Sequence, residues 1–124
     1  MISKSLRETR RAQKESLLRK ELSKIFLDIK RNDPSFEGIF INKVKLSPDK
    51  GMLHVFFYTD QGIDFFKEKL PLLILYKPSV RKALSQIISS RYTPQIIFKY
   101  DKAFEKQCRI ETLLDKIKEE DQSS

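Results

Sequence analysis

Residues 79–101, SVRKALSQIISSRYTPQIIFKYD, change their hydrophobic period halfway along. Val80, Leu84, Ile87 and Ile88 recur at helical spacing, with Arg81, Lys82, Ser85, Gln86 and Ser89 on the other side. Arg91-Tyr92-Thr93-Pro94 then turns the chain into Gln95–Tyr100, a β-branched and aromatic run that reads as a strand. Pro78 opens the helix, because its fixed φ and missing N–H suit a first helical turn. The stretch is a helix–strand corner with arginine at both ends and no glycine loop after it.

Upstream of the corner, residues 63–76 (IDFFKEKLPLLILY) read as another helix, in which Pro71 must sit near the start or impose a kink. Before it, 38–46 (GIFINKVKL) and 52–59 (MLHVFFYT) are strand-like runs joined by Ser47-Pro48-Asp49-Lys50-Gly51. That connection has hairpin chemistry: proline fixes φ, aspartate caps, and Gly51 is expected to take the positive φ. The chain begins with a long helix, about Ser5 to Arg31, whose Ser5-Leu6-Arg7-Glu8 fits a capping box and whose stop is Asn32-Asp33-Pro34. Leu18, Leu22, Ile25 and Ile29, with Phe26 beside them, form its apolar stripe. Continued backwards at the same spacing, the stripe becomes Lys14, Arg11 and Arg7. The last three turns should therefore lie on a core while the first two project past it, either as a cationic arm or as a solvated overhang.

Downstream, 102–124 contain a short amphipathic helix bearing Phe104, Ile110, Leu113, Leu114 and Ile117, and the terminal EEDQSS should fray. The order is helix, strand, strand, helix, helix, strand, with a C-terminal helix added. Such an order predicts an α+β fold, a three-stranded sheet packed by helices on one face, its other face left relatively open. One domain over 1–118 and a frayed tail over 119–124 fit a 124-residue chain.

Charge says more about the partner. The net charge is +8, distributed as +6 over residues 1–31, −1 over 32–62, +5 over 63–100 and −2 over 101–124. Two basic segments flank a nearly neutral strand region, a pattern suited to a polyanion, of which nucleic acid is the commonest. Catalysis finds little material. His54 is the single histidine and Cys108 the single cysteine, too few for a typical zinc site or an internal disulfide. There is no phosphate-cradling glycine motif, and Asp49 and Asp60 read as turn caps. No catalytic residue, metal, cofactor or small-molecule substrate is expected. No apolar run approaches a membrane span and no secretory signal is apparent, so the expected location is a reducing cytoplasm.

The element order resembles the type II KH fold, which usually grips RNA through a G-x-x-G loop between its paired helices. Here that junction is Tyr76-Lys77-Pro78, without glycine. Specific residues narrow the resemblance. Arg10 and Arg19-Lys20-Glu21-Leu22 in the basic helix, Val44-Lys45-Leu46-Ser47-Pro48-Asp49 in the hairpin and Val55-Phe56-Phe57 in the second strand are similar to the ribosome-binding factor A family. Arg81 and Leu84, the corner Arg91, Pro94, Phe98 and Asp101, and Arg109-Ile110 with Leu113-Leu114 continue the match over nearly the whole chain. In one departure, Tyr76-Lys77-Pro78 stands where the family has an alanine-x-glycine kink.

The resemblance implies binding to the immature small (30S) ribosomal subunit and its 16S ribosomal RNA, help in late maturation and end processing of that RNA, a link to cold adaptation, and no cofactor. The residues expected to touch RNA are Arg7, Arg10, Arg11, Lys14, Lys77, Arg81, Lys82 and Arg91, all positioned as phosphate contacts. Tyr92 and Tyr100 could stack on bases, with core packing the better reading of Tyr100, Ser85 and Gln86 could add polar contacts, and Val44, Val55, Leu84 and Phe98 read as packing. A monomer is expected. Two rival readings remain: a generic KH-like RNA-binding or protein-interaction adaptor module, and a nuclease using His54, Arg91 and Tyr92.

Overall fold

The computed structural model describes residues 4–88 and 93–122, so Arg91, Tyr92 and Ser89 lie outside the described residues. The chain forms α1 (Lys4–Asn32), a 3-10 turn (Pro34–Phe36), β1 (Ile39–Leu46), β2 (Met52–Thr59), α2 (Ile63–Leu75), α3 (Lys77–Ile87), β3 (Gln95–Tyr100) and α4 (Lys102–Gln122). Because α1 already includes Lys4, Ser5 stands inside its first turn rather than at a cap. The sheet order is β1-β2-β3, with β2 antiparallel to β1 and parallel to β3.

The central strand alternates cleanly. Leu53, Val55, Phe57 and Thr59 are buried against the helices, while His54, Phe56 and Tyr58 turn to the other face. Phe57 is the hub of the core: its ring lies 5.2 Å from Phe26 of α1, 5.7 Å from Phe66 of α2 and 5.3 Å from Phe98 of β3. Leu18 and Leu22 of α1 and Val80 and Leu84 of α3 complete the packing. In β1 the register slips between Ile41 and Lys43. The extra residue resets the two-residue period, so Ile39 and Ile41 before it and Val44 and Leu46 after it all face the core.

The hairpin turn differs from expectation in one respect. Lys50, not Gly51, takes the positive φ, 61°. Asp49 makes that conformation tenable: its Oδ1 accepts from the Ser47 hydroxyl at 2.6 Å and from the Gly51 N–H at 3.0 Å. Those hydrogen bonds hold its carboxyl below the usual range, the Ser47 contribution being largest. A Cβ at Gly51 would meet Asp49 Oδ1 at 3.3 Å, a tight contact that would press on the carboxylate holding the turn.

One further expectation is narrowed and another needs correction. Pro71 falls inside α2, not near its start, so it interrupts the helical bonding there while the helix continues past it. The lost bond to the Lys67 carbonyl is tolerable because Pro71 is exposed and water can reach that carbonyl. Ile87, assigned above to the apolar side of α3, is 45% exposed: the helix ends there and Ile88 is already extended. The C-terminal helix is longer than expected, 21 residues, and its Ile110, Leu113, Leu114 and Ile117 are exposed. Its docking rests on Phe104, whose ring meets Tyr58 edge-on at 4.8 Å.

Candidate nucleic-acid interface

One hydrogen bond marks where the projection of α1 begins. Glu15 Oε1 accepts from the backbone N–H of Leu46, the last residue of β1, at 2.9 Å. Glu15 therefore marks the rim of the sheet, and residues 4–14 extend about 16 Å past it at a rise of about 1.5 Å per residue. Arg7 and Arg10 on this overhang are exposed, whereas Arg11 and Lys14 are half-buried. The stripe that is apolar from Leu18 onward is thus cationic beyond the rim.

The same end of the sheet carries the start of β3, since Leu46 pairs with Leu53 and Leu53 with Ile96. Here α3 meets β3. Arg81 Nη2 donates to the Thr93 carbonyl at 3.2 Å, and Lys77 Nζ stands 5.5 Å above the Phe98 ring. Between them opens a cleft of about 320 Å³ lined by Lys77, Pro78, Arg81, Gln95 and Ile96, with no carboxylate among its walls. Lys82 is exposed beside Arg81.

The α2–α3 junction that positions the cleft is one residue long. Tyr76 closes α2 and precedes α3 at φ −83°, ψ −8°, and Pro78 occupies the first turn of α3. The Tyr76 hydroxyl donates to Asp33 Oδ2 at 3.1 Å, and its ring meets Phe36 edge-on at 5.7 Å. The Asp33 hydrogen bond raises the tyrosine's pKa; Asp33 itself is held low, chiefly by hydrogen bonds from Ser35 and then by Tyr76. The junction is a tethered corner. Where a G-x-x-G loop would offer bare backbone to RNA, this corner offers a proline ring and the side chains of Lys77 and Arg81. An ammonium and a planar guanidinium fork beside one cleft have the donor chemistry that suits a phosphate.

The sequence expectation thus resolves unevenly. Lys77 and Arg81 share a cleft, Lys82 borders it, and Arg7, Arg10, Arg11 and Lys14 stand at the same end of the domain on α1; Arg91 lies outside the described residues. Gln95 and Ile96 as cleft walls were missed, because only the β3 register brings them to α3, and Pro78 was read only as the opening of that helix. Phe98 is half-buried beneath Lys77, while Val44, Val55, Leu84 and Tyr100 are core. Ser85 is exposed and its hydroxyl donates to the Lys82 carbonyl at 2.6 Å. His54 sits away from the cleft, on the sheet face opposite α1, α2 and α3.

Asp101, at the end of β3, is 2% exposed and structural. Its Oδ1 accepts from the Phe104 N–H at 3.0 Å, capping α4, and its Oδ2 accepts from the Asn42 amide at 2.9 Å. The bulge of β1 and the start of α4 are thereby joined.

These features define a class: a KH-like α+β domain without the glycine loop, carrying a cationic cleft at its paired-helix corner. The ribosome-binding factor A family model matches residues 10–114, and the chain belongs to that family. It is 35% identical over 108 residues to ribosome-binding factor A of Halothermothrix orenii, covering 86% of this chain and 87% of that one. It is 31% identical over 116 residues to that of Prochlorococcus marinus, covering 93% and 89%. The crystal structure of ribosome-binding factor A from Thermus thermophilus superposes with a TM-score of 0.63 at 21% identity, over 73% of this chain and 93% of that one, a likeness of fold. Among the described residues, no helix is long and apolar enough to cross a membrane.

Proposed function

We propose that this chain binds the immature small ribosomal subunit in the cytoplasm and contacts its 16S ribosomal RNA, assisting late maturation of that RNA and of its ends as a monomeric, non-enzymatic factor. Residues 1–118 act as one binding unit. The observation that carries the proposal is the carboxylate-free Lys77–Arg81 cleft at the same end of the sheet as the cationic overhang of α1. Phosphates seated there are gripped by side chains, so recognition follows RNA shape more than sequence. Cold sensitivity of cells lacking the protein follows if subunit maturation depends on it.

The test is co-sedimentation with purified small subunits, large subunits and free RNA across a salt series. The chain should stay with small subunits, and Arg81→Glu with Lys82→Glu should weaken retention at least about tenfold and flatten the salt dependence by about two phosphate contacts. Both side chains are exposed, so the fold should survive. Equal binding to every RNA, or retention unchanged in the double variant, defeats the proposal.

A further inference from the structure

The face of the sheet turned away from α1, α2 and α3, which α4 meets only through Phe104 on Tyr58 among the ring contacts, carries an ordered set of groups in its next rows. Register places Lys45, His54 and Ile97 in one row across β1, β2 and β3, and Lys43, Phe56 and Lys99 in the next. Every cation of this set stands on a flanking strand, and the aromatic and imidazole groups stand on the central one. Adjacent strands are about 4.8 Å apart, so Phe56 and His54 lie on a floor about 10 Å wide bordered by lysines. No carboxylate occupies these two rows; Asp101, beyond them, is buried.

Three details mark the floor as built to receive a flat, anionic ligand. Lys43 Nζ lies 4.9 Å from the Phe56 ring centroid, so that ring presents a π face outward. Lys43 is weakly held: its Nζ is 4.0 Å from Asp101 Oδ2, the limit of an ion pair, and its side chain is 51% exposed. Moving it off the ring gives up only the cation–π contact and this limiting, half-exposed ion pair. Finally, His54 Nδ1 is buried without a hydrogen-bond partner. Burial first, then Lys99 and Lys45, lower the imidazole's pKa, so the two lysines act on it from both sides.

We propose that this face is a second RNA site, a platform on which single-stranded RNA lays a base against Phe56 and places its flanking phosphates on Lys43, Lys45 and Lys99. The inference rests on the ribosomal reading above and extends it to a surface opposite the cleft. A single strand is the fitting occupant because it offers base faces for stacking; a duplex hides them and offers backbone alone. On this arrangement the domain holds structured RNA at the helix corner and an unpaired segment on the sheet.

The test is fluorescence anisotropy of a labelled single-stranded oligouridylate with the full chain, beside a duplex RNA of equal length and a polyglutamate peptide. Lys45→Gln with Lys99→Gln should weaken oligouridylate binding about tenfold and lower the salt slope by about 1.4, two single-strand contacts. Phe56→Leu should weaken it about fivefold or more without changing the slope, as lost stacking does. Thermal unfolding checks that Phe56→Leu is folded; the lysine pair is exposed and serves as the fold-neutral variant. Arg81→Glu with Lys82→Glu should lose small subunits yet keep oligouridylate affinity within about threefold. Unchanged oligouridylate binding in both sheet variants overturns the inference while the ribosomal reading stands. Loss of polyglutamate binding with RNA binding intact also overturns it, in favour of an acidic protein partner. A wild-type chain that ignores small subunits, with oligouridylate still lost in the sheet variants, defeats the ribosomal reading and keeps the platform.

Discussion

Replacing Asp101 with alanine should destabilise the domain by about 2–4 kcal/mol, a magnitude assembled from its two carboxylate oxygens. Removing the cap on the Phe104 N–H costs about 1 kcal/mol. The part-buried Asn42 amide loses its carboxylate acceptor at 2.9 Å, and a hydrogen bond to a charged group is worth about 1.5–3 kcal/mol. The Lys43 pair adds little, being long and half-exposed. Asp101→Asn supplies one acceptor oxygen in place of two and should fall between wild type and alanine. Urea unfolding with an unchanged m-value measures the loss, and a double-mutant cycle with Asn42→Ala should show coupling of about 1 kcal/mol or more. A loss under about 1 kcal/mol for Asp101→Ala, or strict additivity with Asn42→Ala, would refute the reasoning that one residue joins the β1 bulge to α4.

Other outcomes follow from single contacts. Glu15→Ala removes the acceptor at the rim and should cost about 1–2 kcal/mol, with faster hydrogen exchange at the Leu46 amide; unchanged exchange would show that α1 is held by its apolar stripe alone. Leu84→Ala, at a fully buried position, should cost about 2–5 kcal/mol by equilibrium unfolding, whereas Ile87→Ala, on the exposed side of the helix end, should cost under about 1. Burial, aided by Glu105 and Tyr58, pushes the Tyr100 hydroxyl up to about 12 from 10.0. The folded chain therefore keeps a proton that the unfolded chain releases, so this contribution is complete below pH 10 and lost as pH rises towards 12. In a tyrosinate absorbance titration, Tyr100→Phe should lack the step near pH 12, and a titration identical to wild type would contradict the burial argument.

Most of the local architecture was legible because its causes are local. The apolar stripe from Leu18 to Ile29, the alternation Leu53–Val55–Phe57 and the Ser47–Asp49 turn chemistry each lie within one element or one connection, so α1, the hairpin and β3 could be bounded to within a residue or so. The cationic continuation of the stripe through Lys14, Arg11 and Arg7 was readable for the same reason: helical period alone sets it on one face. Pro71 was legible only as a choice between a helix start and a kink, because exposure to water, a tertiary property, decides whether the lost bond at a single carbonyl is tolerated. The outward lysines 43, 45 and 99 left a faint signal, each alternating with a core residue, but their meaning as a set depends on which strand lies beside which.

The sequence by itself determined the elements, their amphipathic faces and the basic balance of the chain, since propensity, period and charge act over a few residues. Tertiary structure alone decided that β3 runs parallel beside β2, and with that pairing came the relations from which the proposed binding surfaces are argued. It set Arg81 against Thr93 and Lys77 over Phe98, brought Asn42 to Asp101 across 59 positions, and laid Lys99 beside Phe56 opposite the Lys43 that the hairpin places there. Such contacts join residues whose separation along the chain carries no period, and only the packing of the sheet against its helices fixes them.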